Sequence, residues 1–283
     1  MATKVWLITG SSSGFGRALA EAVLAHGDRL VATARRPEQL QSLVEQYPET
    51  ATAVTLDVTN PEQVRSTLQQ AKTVFGQIDV LVNNAGYGLI GALEEVSDDQ
   101  IRRNFETNLF GAIDIIRAVL PMMRQQGSGH IVNMSAIAGF TNELGFSIYG
   151  GAKFALEGIS EALRGEVEPF GIKVTLVEPG PFRTEFIGRS LDRVDTPMTE
   201  YELTVGKFLN FLNQIEGQQP GDPVKAANAI IRMIEAENPP LRLVLGKYAY
   251  SKFRQKIEDL TQELNAWESV GLATDFDQQR HTS

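Results

Sequence analysis

Residues 5–16 read VWLITGSSSGFG, an apolar run followed by a glycine-rich turn. The run Val5–Thr9 is typical of a strand buried on both faces, and Gly14–His26 has helical periodicity. Glycines in such a turn let the backbone approach a pyrophosphate, and the helix N-terminus directs free N–H groups toward it. We therefore expect a dinucleotide site, the alternative being an ordinary strand-to-helix turn. The residues expected to contact the dinucleotide are Gly10, Ser12, Ser13, Gly14, Phe15 and Gly16.

The alternation of strand and helix continues along the chain. Apolar runs rich in β-branched residues lie at 29–33, 53–56, 78–83, 130–134, 173–177 and 241–245. Helical periodicity lies at 37–46, 61–75, 98–124, 149–169 and 223–235. Buried strands separated by helices predict right-handed βαβ crossovers and a doubly wound, Rossmann-type α/β fold, with helices on both faces of a parallel sheet.

Two segments depart from this rhythm within a single expected domain, 1–283. Residues 182–219 form a long connection, and connections of that length are usually lids or carry helices of their own. We expect a substrate lid there, helical over 201–214. Residues 248–283 are predicted to form a C-terminal helical extension, helical to about Trp267 and polar at its end.

Composition excludes several classes of function. The net charge of −9 argues against a nucleic-acid binder, which would carry a basic surplus. The chain has no cysteine, and His26, His130 and His281 are not grouped in sequence, so we expect no metal site. No uninterrupted apolar stretch approaches the ~18 residues of a membrane span, and the N-terminus has no basic region or cleavage signal. We expect a cytoplasmic protein with no membrane partner.

The end of the second predicted strand bears on which dinucleotide is bound. A site for NAD normally has an acidic residue there, to hold the ribose 2′-hydroxyl. This chain has Arg35 and Arg36 instead. Two guanidinium groups suit a 2′-phosphate, so NADP is favoured over NAD. The alternative is a pair of solvated surface arginines.

Four further motifs lie in register with the glycine turn. They are Asn83-Asn84-Ala85-Gly86, Asn108 within TNLFG, Tyr149-x-x-x-Lys153, and Pro179-Gly180. Over about residues 4–245 the chain resembles the short-chain dehydrogenase/reductase family, and within it the steroid- and retinol-dehydrogenase-like branch. The resemblance implies a seven-stranded parallel sheet of order 3-2-1-4-5-6-7 and an oxidoreductase that interconverts a carbonyl and an alcohol with NAD(P). It also implies a homodimer or homotetramer paired through the helices at 98–124 and 149–169.

The resemblance assigns catalytic roles to three residues. Tyr149 would give the carbonyl oxygen its proton, Lys153 would hold the nicotinamide ribose, and Asn108 would anchor a water in a proton relay. The spacing agrees, since residues four apart share a helix face. A nearby ammonium is expected to lower the tyrosine pKa from ~10 toward the working range.

The resemblance also assigns further coenzyme contacts. They are Asp57, Val58, Asn84, Ala85, Gly86, Tyr149, Lys153, Pro179, Gly180, Phe182 and Thr184. Asp57 matches the family residue that contacts the adenine, although it could instead be a turn residue beside a helix.

One position departs from the family pattern. Thirteen residues before the tyrosine the family has a serine that binds the substrate oxygen, and this chain has Ala136. Ser135 is adjacent, but neighbours on an extended segment point to opposite sides, so it is a doubtful substitute. Three explanations stay open: an engineered serine-to-alanine change, a natural variant that uses Ser135 or a water, or a natural protein without efficient catalysis. Gly150-Gly151 is a milder departure, where the family commonly has Ser-Ala.

We expect an apolar substrate pocket, lined by Ala136, Phe140, Leu144, Phe146 and Phe186 beside Tyr149. Such a lining favours a bulky ketone, aldehyde or secondary alcohol. The same residues could instead be core. Because Ala136 replaces the serine, the alternative function is an NADP-binding redox sensor that is catalytically weak or inactive.

Overall fold

The computed structural model describes residues 3–276 as a twisted parallel sheet enclosed by helices. The strands are β1 Val5–Ile8, β2 Arg29–Ala34, β3 Ala51–Thr55, β4 Val80–Asn83, β5 Gly88–Ile90, β6 Gly129–Met134, β7 Ile172–Pro179, β8 Leu191–Arg193 and β9 Arg242–Leu245. Seven of them form one sheet in the order β3-β2-β1-β4-β6-β7-β9, and the six recorded pairings are all parallel. Leaving out the three-residue β5 and β8, this is the predicted order 3-2-1-4-5-6-7, and the Rossmann-type fold is confirmed.

The helices match the predicted ranges, with two interruptions. They are α1 Gly14–His26, α2 Gln41–Gln46, α3 Pro61–Phe75, α4 Asp98–Phe105, α5 Gly111–Gln126, α6 Ser147–Val167, α7 Lys207–Ile215, α8 Pro223–Ile234 and α9 Lys247–Leu272. The helix predicted at 37–46 begins with a 3₁₀ turn, Pro37–Leu40. The helix predicted at 98–124 is divided by a π-helical turn, Glu106–Phe110, which separates α4 from α5.

Each face of the sheet has its own core, because successive strand residues point to opposite sides. Trp6 and Ile8 pack with α1 and α8 on one face. Leu7 lies between them in sequence and packs on the other face with residues of α3 and α5. All three side chains are fully buried. This explains why the strands read as continuous apolar runs instead of alternating ones.

The ends of β1 and β4 are joined by Thr9. Its backbone N–H donates to the Val82 carbonyl at 3.0 Å. Its hydroxyl oxygen accepts from the backbone N–H groups of Asn84 and Ala85, both at 2.9 Å. The Asn84 side-chain amide donates to the carbonyls of Thr9 and Gly10 at 2.9 and 3.0 Å. The glycine turn and the segment after β4 therefore form one hydrogen-bonded unit at the carboxyl edge of the sheet.

The long connection after β7 folds back over this edge. Its strand β8 pairs with β5 in a separate two-stranded sheet. A π-helical turn, Glu202–Gly206, leads into α7, so the predicted helical character of 201–214 is present. The final helix α9 extends to Leu272, further than the expected end near Trp267. Within the described residues, no helix combines the length and apolar character needed to span a membrane.

Candidate active site

Tyr149 and Lys153 lie one turn apart on α6, and both are buried. The Lys153 ammonium lies 5.7 Å from the centre of the Tyr149 ring and donates a hydrogen bond to the Met134 carbonyl at 2.8 Å. Burial lowers the pKa of Lys153 to about 8, partly opposed by the charge of Glu157. Burial raises the pKa of the Tyr149 hydroxyl above its ordinary value. The expectation of a lowered tyrosine pKa is therefore wrong, because desolvation is the dominant effect.

Asn108 lies in the π-helical turn between α4 and α5. Its side-chain amide donates to the carbonyls of Tyr87 and Asn104, each at 3.0 Å. Its side-chain oxygen accepts from the Tyr87 backbone N–H at 3.2 Å. A β-carbon at Gly86 would contact that oxygen and approach the Lys153 ammonium, which shows how closely Asn108, Gly86 and Lys153 meet. Single π-helical turns occur frequently at functional sites, and this one positions the predicted residue.

The glycine turn has the features of an anion cradle. The N-cap residue of α1, Ser13, is extended and gives no side-chain hydrogen bond to the helix, so the first N–H groups lack a cap. A side chain at Gly16 would overlap the Gly10 carbonyl and the Asn84 amide, so this position requires glycine. Thr184 lies beside Gly14, at 3.6 Å from the position of a β-carbon there. The turn therefore fits a dinucleotide phosphate, and it lies on the same sheet edge as Tyr149.

The other predicted coenzyme residues surround this cradle in different environments. Arg35 and Arg36 are exposed after β2, and neither forms an ion pair with another described residue. The Asp57 carboxylate accepts from the backbone N–H and hydroxyl of Thr59, at 3.0 and 2.8 Å. Asp57 thus also has the turn role that the sequence left open.

Several predicted coenzyme residues meet other parts of the protein through their side chains or backbone. Val58 is buried against Gly111, and Gly180 approaches the start of α9 at Ala249. The rings of Phe15 and Phe182 pack together with centroids 5.1 Å apart. Pro179 ends β7 next to Gly180. These residues lie at the edge of the sheet that carries the glycine turn. Much of their side-chain surface packs against other parts of the protein.

Ala136 and Ser135 point to different surroundings. Ala136 has extended backbone, with φ −162° and ψ 166°, and its side chain belongs to the apolar cluster that contains Tyr149. A β-carbon at Gly139 would contact both the Ser135 hydroxyl group and the Glu157 side chain, so these two side chains lie close together. Ser135 therefore faces away from the cluster, in agreement with the alternation expected on an extended segment.

An apolar cluster encloses the Tyr149 ring. The rings of Phe146 and Phe186 lie on either side, with centroids 5.6 and 5.7 Å from it. The connection after β7 contributes most of the cover. The remaining members are Ile90, Ala92, Ala136, Ala138, Ile187, Leu191, Val205 and Leu212, with Tyr201, Phe208, Leu209 and Ile215 packed against them.

Two residues predicted for this pocket lie outside the cluster. Phe140 stacks on Phe253 of α9, with ring centroids 4.3 Å apart and planes 12° from parallel. Its ring therefore attaches the C-terminal helix to the site loop. Leu144 is 59% exposed. The structure therefore does not bring these two residues into the Tyr149 cluster, because apolar residues in one loop can turn to different surfaces.

Behind Ser135 lies a pair of buried acids that the sequence analysis missed. Glu178 on β7 is completely buried, and Glu157 on α6 is nearly so. Both face Arg242, whose Nε is 3.1 Å from a Glu157 oxygen and 3.5 Å from a Glu178 oxygen. Burial and the neighbouring Glu157 charge raise the pKa of Glu178 well above its ordinary value. These surroundings therefore favour the protonated form of Glu178. A charged residue inside an apolar strand, LVEP at 176–179, was the available signal.

Comparison with known proteins agrees with this geometry. The family model for short chain dehydrogenases matches residues 4–194. The chain belongs to the short-chain dehydrogenase/reductase family. It is 41% identical to an oxidoreductase of Botryotinia fuckeliana, named BOA17, over 96% of this chain and 99% of that protein. It is 38% identical to human retinol dehydrogenase 8, over 85% and 81%. A short-chain dehydrogenase structure from Streptomyces avermitilis has 45% identity and a TM-score of 0.91, covering 97% of this chain and all of that one.

Membership makes the protein an NAD(P)-dependent dehydrogenase/reductase. It also gives meaning to Gly150, where the family commonly has serine. The side chain of Asn142 occupies the space that a β-carbon at Gly150 would fill. Asn142 donates to the Phe146 carbonyl at 3.2 Å and accepts from the Glu143 backbone N–H at 3.0 Å. Glycine at 150 therefore leaves room for an asparagine that fixes the loop before α6. Gly151 has no such neighbour, since the nearest atom, on Phe105, is 3.7 Å from a β-carbon there.

We predict that Gly150→Ala and Gly151→Ala have different effects on stability. Alanine in a helix is favoured over glycine by about 1 kcal/mol, and Gly151→Ala should gain most of it. At Gly150 the new methyl displaces Asn142 and breaks its two hydrogen bonds, so the gain should be cancelled or reversed. Urea unfolding of both variants measures the difference. Equal stabilisation of the two would show that Asn142 does not hold the loop.

We also predict a pH-dependent gain in stability for Glu178→Gln. Glu178 has a raised folded pKa, so its contribution to stability is fully present below the ordinary value of 4.5 and is lost as pH rises. Glutamine copies the protonated acid. The free energy of unfolding of the variant should exceed that of the wild type by more than about 1 kcal/mol at pH 9, and by less at pH 5. Glu161→Gln, at the exposed partner of Arg242, is the control without this trend. If Glu178→Gln were less stable than the wild type at every pH, Glu178 would not be protonated in the folded protein.

Proposed function

We propose that this protein is an NADP-dependent oxidoreductase that interconverts a bulky apolar carbonyl compound and its alcohol. The observation that carries the proposal is the Tyr149 hydroxyl group within an apolar cluster, one helical turn from a buried lysine. Family membership supports the reaction class.

The residues present fit a nicotinamide dinucleotide. The uncapped start of α1 and the close packing at Gly16 offer N–H groups to the phosphates. The bound coenzyme would supply hydride chemistry at the substrate carbon. The proposed contacts are Gly10, Ser12, Ser13, Gly14, Phe15, Gly16, Arg35, Arg36, Asp57, Val58, Asn84, Ala85, Gly86, Tyr149, Lys153, Pro179, Gly180, Phe182 and Thr184.

Tyr149 is the proposed proton donor to the carbonyl oxygen. Its raised pKa keeps the phenol protonated before reaction. Proton transfer leaves a phenolate, which the nearby Lys153 ammonium stabilises. The Lys153 pKa of about 8 keeps the charge in place at neutral pH. Asn108 fixes the segment after β4 against the same lysine. In the reverse direction, the same groups would accept and hold the proton.

The proposed substrate class, a bulky apolar carbonyl compound, is inferred from the side chains that surround Tyr149. Phe146 and Phe186 face its ring, and Phe208 meets Phe146 at 5.9 Å between centroids. Residues 182–219 form its cover, so we assign them as the substrate lid. A relative named for retinol, a large apolar alcohol, supports the same class.

NADP is the proposed coenzyme because Arg35 and Arg36 follow β2 where an NAD site would have an acid. Both guanidinium groups are exposed and without ion pairs to described residues. A 2′-phosphate would offer them charge-assisted hydrogen bonds.

Ala136 supports a second candidate, an NADP-binding redox sensor. Its methyl group faces the Tyr149 cluster, where the family serine would offer a hydroxyl group. Ser135 faces Glu157 and does not compensate. Loss of a donor to a developing oxyanion typically costs on the order of 10²–10³ in rate. The sensor would bind the dinucleotide and turn over little or no substrate.

A homodimer or homotetramer paired through the long helices completes the proposal. Phe110, next to α5, and Phe154 on α6 are 48% and 44% exposed. Large exposed aromatic side chains on these two elements suit a surface that a second subunit covers.

The coenzyme proposal predicts selective loss of NADPH binding in the double variant Arg35→Ser/Arg36→Ser. Each lost charge-assisted hydrogen bond is worth about 1.5–3 kcal/mol, so the dissociation constant should rise about tenfold or more. NADH binding should change little. Titration of coenzyme fluorescence measures both constants, with the exposed Arg117→Ser as a control. An equal loss for both coenzymes would contradict a 2′-phosphate site.

The enzyme proposal is tested by restoring the missing hydroxyl group. Ala136→Ser should raise the rate of NADPH oxidation by on the order of 10²–10³ with bulky apolar ketones and aldehydes. Ser135→Ala should leave the rate unchanged, because that hydroxyl faces Glu157. Absorbance at about 340 nm follows NADPH oxidation, with small charged carbonyls as controls for the pocket.

If neither the wild type nor Ala136→Ser oxidises NADPH while both bind it, the sensor replaces the enzyme. A preference for small charged carbonyls would refute the apolar pocket.

A further inference from the structure

The C-terminal helix α9 is attached to the body by its first turns alone. Ala249 is buried beside Gly180, and Phe253 is buried in its stack on Phe140. The Lys252 ammonium pairs with the Glu143 carboxylate at 2.7 Å. From Ile257 to Leu272 every residue is exposed. More than half of this helix therefore projects from the described part of the chain into solvent.

The projecting part carries an apolar stripe. Its members follow Phe253 at alternating spacings of four and three residues, which places them on one face of the helix. They are Ile257, Leu260, Leu264 and Trp267, which are 54%, 44%, 72% and 68% exposed. Helices in water derive most of their stability from packing an apolar face. We therefore expect this apolar stripe to pack against another surface.

The charges on α9 change sign along its length. The basic part, residues 247–256, carries Lys247, Lys252, Arg254 and Lys256, and the acidic part, residues 257–272, carries Glu258, Asp259, Glu263 and Glu268. Arg254, Lys256, Glu263 and Glu268 flank the stripe, and none forms an ion pair with another described residue. Two antiparallel copies would set the basic part of each helix beside the acidic part of the other. Two parallel copies would set like charges together.

We propose that the stripe of α9 docks on the same stripe of a second copy of this chain, antiparallel, about a two-fold axis. A two-fold interface requires a surface that is complementary to itself, and the charge order of α9 has this property. The stripe at its centre supplies apolar burial in the manner of a short coiled coil. This surface is separate from α5 and α6, and the proposal does not depend on the proposed reaction.

Two other occupants fit less well. A helix that lies on a membrane carries Lys and Arg along its polar face, whereas residues 257–272 contain four acids and no basic residue. The chain's own final residues, 277–283, read DQQRHTS and contain no large apolar side chain to cover the stripe.

The first test is the mass of the full-length protein in solution, measured by sedimentation and by light scattering. Leu264→Lys places a charge in the stripe and should halve the mass of the wild-type assembly. Asn265→Lys adds the same charge on the neighbouring face and should leave the mass unchanged. The temperature of unfolding of each variant reports whether the body remains folded.

The second test exchanges the charges. Arg254→Glu/Lys256→Glu makes all four flanking positions of the stripe acidic, and Glu263→Lys/Glu268→Lys makes all four basic. Each double variant alone should dissociate as Leu264→Lys does. Mixed in equal amounts they should associate with each other, and the chain with all four changes should recover the wild-type mass.

Three outcomes would overturn the proposal. One is a wild-type protein that is monomeric at every concentration tested, and another is a Leu264→Lys variant with wild-type mass. The third is wild-type association of each charge variant alone, which would exclude antiparallel pairing. If Leu264→Lys keeps its mass but loses wild-type binding to phosphatidylcholine/phosphatidylserine vesicles, the stripe binds a membrane instead.

Discussion

The hydroxyl group of Thr9 joins the two strands at which the order of the sheet changes direction. It accepts the N–H groups of Asn84 and Ala85, so the turn after β1 and the segment after β4 cannot move independently. Gly86 comes next and lies against Asn108 and Lys153. A continuous series of contacts therefore links the glycine turn to Lys153. The position of the site at this edge follows from the fold, because ligands of open α/β sheets bind at the switch point.

Burial determines the chemical state of the residues beside this edge. The same desolvation that raises the Tyr149 pKa lowers that of Lys153, so each group is drawn toward its neutral form. Burial and the Glu157 charge also raise the pKa of Glu178, which draws that acid toward its neutral form. The protein thus places on and beside α6 groups whose charges respond to their surroundings. A ligand that excludes water or adds charge would alter these pKa values directly.

The strands and most helices were predictable because buried parallel strands and amphipathic helices leave clear periodic patterns, whereas the strand order was implied by the family resemblance. The division of the helix at 98–124 was not, since the apolar pattern continues through the π-helical turn that holds Asn108. The stacking of Phe140 on Phe253 was not predictable, because an apolar loop residue looks the same in sequence whether it lines a pocket or packs on a helix. Glu157 and Glu178 meet through the packing of α6 on β7, a contact that no local pattern records.

The contact between Asn142 and Gly150 limits the order in which this site can change during evolution. A family-like serine at 150 would collide with the asparagine, whereas loss of the asparagine alone would release the loop before α6. Each single step is therefore unfavourable, while the two together can be neutral, which is the situation called sign epistasis. Such a pair tends to be inherited as a unit. Chains that share both residues would form a lineage defined by this loop.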